Sequence, residues 1–206
     1  MIEDYINRVD AAIAKVMNDE SKLGEHHFAL NGMSVRENRI LLNELVKSGD
    51  KYLEIGVHRG STFVSAMFNN DAIAVAIDNF SQFGQVRDEF LHNCSLSNIT
   101  EKMTFVEADC FNLSDEQKEL VRGTNVYFYD GDHRHEDQEM ALTYYLDYLA
   151  DPFIFIVDDW NHQPAVSGTE SGIRLTNLKV HKEWILNQAN TGKGWHNALY
   201  VAVLSR

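Results

Sequence analysis

Cysteine is nearly absent from the 206 residues. Cys94 and Cys110 are the only two, too few for a disulfide framework and not in the spacing of a metal finger. A reducing, cytoplasmic setting is the expectation, since the start of the chain shows no cationic segment leading into an apolar block. Proline is as scarce, with Pro152 and Pro164 alone, and no low-complexity tract, repeat or linker marks a strong boundary. Cations are few: 18 Lys and Arg face 31 Asp and Glu, a formal net charge of -13. That balance disfavours nucleic acid and anionic lipid as partners, because both are bound through clustered cations. No stretch approaches the ~20 apolar residues of a membrane span. What remains, 44% apolar and 24% charged residues, suits one compact domain with a small appendage.

The apolar residues fall into two kinds of pattern. Ile2, Ile6, Val9, Ile13 and Val16 recur at alternating steps of four and three, which lines one face of a helix. A second helix is expected from Ser34, where Ser34 and Glu37 have capping-box spacing and Ile40, Leu41, Leu45 and Val46 continue a stripe until Ser48 and Gly49. Residues 1–49 therefore read as a helical cap over one edge or mouth of the main domain. From Lys51 onward, short apolar runs at 52–57, 73–77, 103–106, 126–129 and 153–157 alternate with helix-length segments at 61–69, 84–97, 114–121 and 135–149. Strands joined by helices belong in a parallel sheet, because tight hairpins connect only antiparallel neighbours. A short helix near 168–177 and strands near 178–185 and 198–204 complete a doubly wound α/β sheet over residues 50–206, mostly parallel, with a C-terminal antiparallel hairpin.

Open α/β sheets bind ligands just past the carboxyl ends of their strands, so chemistry is sought there. The first strand ends in Glu54-Ile55-Gly56-Val57-His58-Arg59-Gly60-Ser61-Thr62, where Gly56 and Gly60 permit a tight turn and close approach to a ligand. The second ends at Asp78, 22 residues beyond Gly56, the distance at which nucleoside-binding folds place a carboxylate for ribose hydroxyls. The third ends in Glu107-Ala108-Asp109. The fourth and fifth end in Asp130-Gly131-Asp132-His133 and Asp158-Asp159-Trp160. Strand neighbours lie ~4.8 Å apart, so Asp130 and the Asp158-Asp159 pair can face each other, and a divalent cation with oxygen ligands would relieve their repulsion. Helix capping and solvation by some of these acids is the plainer alternative.

Taken in order, these motifs resemble those of class I S-adenosylmethionine-dependent methyltransferases, in particular the macrocin-type metal-dependent sugar O-methyltransferases. The resemblance covers roughly residues 50–206 and implies a Rossmann-like methyltransferase fold. It implies that Glu54, Gly56, Gly60 and Ser61 line the methionine part of S-adenosylmethionine, that Asp78 takes the ribose and Asp109 the adenine amino group. It further implies that Asp130, Asp158 and Asp159 hold a divalent cation such as Mg2+. Two departures stand out: the turn has two glycines instead of three, and related catechol enzymes have Asn where Asp159 stands.

The expected activity is methyl transfer to a hydroxyl of a sugar or another small metabolite, by a soluble protein expected to pair as a homodimer. Such a transfer requires alignment of the reacting atoms and removal of the hydroxyl proton. His133 is the candidate general base, beside Asp130, with His58, His135 and His162 competing. Phe80, Phe83, Trp160 and Trp195 are candidates for an acceptor pocket. Two other classes stand against this reading. One is a cofactor-binding partner subunit without activity, and the other is a metal-dependent hydrolase, which leaves the glycine turn and Asp78 without a role.

Overall fold

The computed structural model describes residues 1–84 and 86–206. Helices α1 (Ile2–Met17), α2 (Glu25–Phe28) and α3 (Arg36–Leu45) precede strand β1 (Lys51–Ile55). Strands and helices then alternate as α4 (Ser61–Met67), β2 (Ile73–Ile77), α5 (Arg87–Leu96), β3 (Met103–Val106), α6 (Asp115–Val121), β4 (Thr124–Tyr129), α7 (His135–Thr143) and β5 (Leu149–Val157). Helix α8 (Gln163–Leu175), strand β6 (Lys179–Leu186), helix α9 (Gln188–Thr191) and strand β7 (Leu199–Ser205) end the chain. The sheet order is β3-β2-β1-β4-β5-β7-β6, with β1 to β5 parallel and β7 antiparallel to both β5 and β6. The expected doubly wound sheet with its antiparallel C-terminal hairpin is thus present.

The central strands are covered on both faces, which is why they read as nearly unbroken apolar runs. Alternate residues divide between two cores. Tyr52, Ala74, Ala76, Phe128 and Ile156 face α1, α3, α4 and α5, while Leu53, Val75, Tyr127, Phe155 and Ala202 face α6 and α7. The expected α1 stripe is buried through Val9 and Val16 within the first of these cores, so the N-terminal helices share the sheet's own interior.

Several local expectations need correction. The capping box at Ser34 does not form: Val35 is the N-cap of α3 without a side-chain bond, and the Ser34 hydroxyl turns to Ser61 and Arg39. A capping box occurs instead at α6, between Ser114 and Gln117. The helix expected over 84–97 includes Gln85, which lies outside the described residues, and is found from Arg87 to Leu96. The segment 135–149 is not one helix. It breaks after Thr143 into a 3-10 turn at Leu146–Tyr148, where Tyr145 turns into the second core and its hydroxyl donates to the Cys110 carbonyl. Helix α8 begins earlier than expected, with Pro164 in its first turn, where a missing N–H costs nothing. Among the described residues no helix is long and apolar enough to cross a membrane.

Candidate functional site

Strands β1, β2 and β4 end at one level, and their first loop residues are stitched by backbone bonds. Gly56 N donates to Ile77 O and Asp130 N to Ile55 O, both at 2.9 Å. Gly56 has φ +85°, and any Cβ there would collide with the backbone carbonyl of Asp130. Glycine at this position therefore lets the turns after β1 and β4 nest together. Gly60, at φ +83°, precedes α4, and a Cβ on it would press on the Phe90 ring. A cavity of about 570 Å³ opens above these turns, within the usual range of small-molecule sites.

Gly56, Ser61, Asp78 and Asp109 line the cavity, as do Asp130, His133, Asp158 and Asp159. Asp78 is a hub: its Oδ2 accepts from His58 N at 2.8 Å and its Oδ1 from Phe80 N at 2.7 Å. The carboxylate thus clamps the loops after β1 and β2 while each oxygen keeps a lone pair for a ligand. Asp109 Oδ1 accepts from Phe111 N at 2.9 Å and its side chain is exposed toward the opening. Ser61 Oγ lies 3.0 Å from Ser34 Oγ, and Gly32 packs directly on Ser61, so the loop before α3 reaches the site and places Met33 in its wall.

Glu54 and Gly60 are not among the cavity-lining residues. Glu54 is fully buried in β1, where it accepts from the Tyr52 hydroxyl at 2.5 Å and from Thr62 Oγ1 at 2.6 Å. Burial pushes its carboxyl up to about 7, against the pull of those two donors. Its reach into the site is therefore indirect: it tethers α4 through Thr62, which does line the cavity.

Three acids gather at the other side. Burial, then the charge of Asp158, raises Asp130, and burial with the charge of Asp159 raises Asp158. Burial opposes ionisation of both Asp159 and His133. Their contact, 2.9 Å from His133 Nε2 to Asp159 Oδ2, outweighs it, holding Asp159 below and His133 above their ordinary values. His133 Nδ1 is 3.3 Å from Gln138 Nε2. Both ring nitrogens of His133 thus have a polar partner. Asp158 Oδ1 and Asp159 Oδ1 are buried without a hydrogen-bond partner.

A divalent cation fits the chemistry of this donor set, since orphaned carboxylate oxygens are hard ligands. Yet among the described residues no group of three or more His, Cys, Asp or Glu is arranged to hold a metal. A cation would have to compete with His133 for Asp159.

Of the competing histidines, His58 lines the cavity, whereas His135 pairs with Ser167 and His162 is exposed away from it. Phe80 and Phe83 line the cavity too. Trp160 instead stacks on Tyr200 at 4.2 Å, and Trp195 donates to Thr191 Oγ1. The sequence reading missed His196 and Asn197, which also line the cavity. They lie in a polar connection without periodicity. The positive φ of Asp159, Asn197 and Ala198, where Trp160 N and Asn161 N bond to the carbonyls of Ala198 and Asn197, brings that connection to the site.

The chain matches no protein-family model and no curated protein in sequence. In structure it is similar to an O-methyltransferase from Bacillus cereus in complex with SAH, with TM-score 0.61, 15% identity and 100% of each chain covered. It is similar to a Klebsiella pneumoniae protein described as a candidate O-methyltransferase, with TM-score 0.60, 17% identity, and coverage of 95% of this chain and 90% of that one. A candidate SAM-dependent methyltransferase from Streptococcus mutans gives TM-score 0.62 at 14% identity over 83% of this chain, which spans only 48% of that protein. The fold is that of the Rossmann-like methyltransferases.

Proposed function

We propose that this protein is an S-adenosylmethionine-dependent methyltransferase that acts on a hydroxyl of a sugar or another small metabolite. The observation that carries the reading is the convergence, on one cavity, of the Gly56 turn, Ser61, Asp78 and Asp109 with Asp158 and Asp159, each of which has a buried oxygen without a partner. The first set suits an amino acid, a ribose and an adenine in succession. The second set suits a group that donates hydrogen bonds. The SAH complex of the Bacillus cereus neighbour supports the cofactor assignment.

A methyl sulfonium is already activated, so this chain's residues have to hold the acceptor in line with it and take its proton; alignment alone is worth ~7–11 kcal/mol of barrier. Asp78 accepts the ribose hydroxyls, and its grip on His58 N and Phe80 N keeps the loops closed around the cofactor. An acceptor hydroxyl beside Asp158 donates to the orphaned Oδ1. S-adenosylmethionine, when bound, would supply the methyl group and become S-adenosylhomocysteine, neutral at sulfur, while the hydroxyl proton passes to the Asp158 carboxylate. Asp130 stands beside Asp158 at the ends of the neighbouring strands β4 and β5. A divalent cation, if bound, would be held by Asp130, Asp158 and Asp159 and would lower the acceptor's hydroxyl pKa. The formal charge of -13 supports a small acceptor over a nucleic acid.

The test is transfer of labelled methyl from S-adenosylmethionine to a panel of sugars and other polyols, with Mg2+ and with chelator. Turnover by the wild type that falls by about 100-fold or more in Asp158→Asn supports the assignment. Turnover unchanged in that variant removes Asp158 from the chemistry, and turnover unchanged by chelator removes the cation.

A further inference from the structure

Helices α7 and α8 bury a polar pair that does not line the cavity. Gln138 and Thr169 have no solvent exposure, so their polar atoms must satisfy one another or a neighbour. Gly168 permits the contact: a Cβ there would collide with the His135 carbonyl and crowd Gln138 Cβ, holding α8 too far from α7. At this separation Thr169 Oγ1 donates to Gln138 Oε1 at 3.2 Å. The amide nitrogen of Gln138 then faces His133 Nδ1 at 3.3 Å, and His133 Nε2 faces Asp159 Oδ2 at 2.9 Å.

With the amide nitrogen of Gln138 turned to the ring, the donors and acceptors along this line follow one order. An amide N–H can only donate, so His133 Nδ1 must present its lone pair. The proton of the neutral ring is then on Nε2, aimed at the Asp159 carboxylate. The bond made by one imidazole nitrogen thus decides what the other offers. With the Gln138 amide reversed, a neutral ring would carry its proton on Nδ1 and turn a bare lone pair on the carboxylate, which is repulsive. We propose that Gln138 and Thr169 are positioning residues that hold His133 as a donor to Asp159 and so fix the orientation of that carboxylate in the cavity wall. Oδ1 of Asp159 is the atom of that side chain left buried without a partner. The relay rests on the methyl-transfer reading for its purpose, but not for its existence.

Nitrogen-15 NMR of the imidazoles reads the relay directly, with the full chain labelled at histidine, at alkaline pH where the rings are neutral, and with His133→Gln to assign the signal. The wild type should show His133 as the single Nε2–H tautomer. Thr169→Val, which is nearly isosteric, and Gln138→Met should each give a mixture of tautomers. In both, kcat for methyl transfer should fall by about tenfold, with the S-adenosylhomocysteine affinity kept within about twofold by calorimetry. A wild-type His133 carrying its proton on Nδ1 overturns the proposal, as does a Thr169→Val protein with unchanged tautomer and kcat. The NMR and the calorimetry need no turnover. Loss of the methyltransferase reading would show separately, as failure to bind S-adenosylhomocysteine.

Discussion

Glu54 is a carboxylic acid with no solvent exposure, raised by burial from 4.5 to about 7. Between those values the folded protein keeps a proton that the unfolded chain has released, so stability is full below about pH 4.5 and falls as pH rises toward 7. The loss attributable to this group is about 3 kcal/mol. Glu54→Gln should therefore flatten the decline in urea-unfolding free energy between pH 5 and 8, and an unchanged slope would show that Glu54 is ionised throughout. Asp78→Ala removes the acceptor for two loop N–H groups and, on the proposed reading, for the ribose, and should weaken S-adenosylhomocysteine binding by about tenfold or more in a calorimetric titration. Asp78 was legible because it stands at a fixed distance from a glycine turn. Glu54 was legible as a strand-end acid, but its burial was not, since that depends on Tyr52 and Thr62 closing over it. His133 was legible as a site residue, but its partners were not, since its Nδ1 faces Gln138 on α7 and its Nε2 faces Asp159 beyond β5.

Elements meet at this site through glycine. Gly168→Ala would force α8 away from α7 and should destabilise the protein by about 1–3 kcal/mol, read from urea unfolding, since a closely packed interface has no room for a methyl group. A Gly168→Ala protein as stable as the wild type would show that the two helices separate freely. The strands and most helices were legible because two-sided burial writes apolar runs and helical stripes into the chain. The failures came where tertiary contacts overruled local chemistry. Ser34 has the residue type and spacing of a cap, yet its hydroxyl is taken by Ser61 and Arg39. The early start of α8 had a signal, Pro164, that was available and passed over.

At the scale of the whole molecule, one sheet level collects loops from β1, β2, β3, β4 and β5, and the loops before α3 and β7 complete the wall. The order of acids along the sequence foretold the strand-end contributions, because a doubly wound sheet brings every such end to one edge. It did not foretell Met33, His196 or Asn197, which come from segments with no periodicity and reach the cavity only through long-range packing. The central claim is that this cavity holds an adenosyl cofactor. Calorimetric titration of the wild-type protein with S-adenosylhomocysteine tests this most directly. Saturable one-site binding in the micromolar range is the expected result, about -8 kcal/mol, and no binding at millimolar ligand would contradict it.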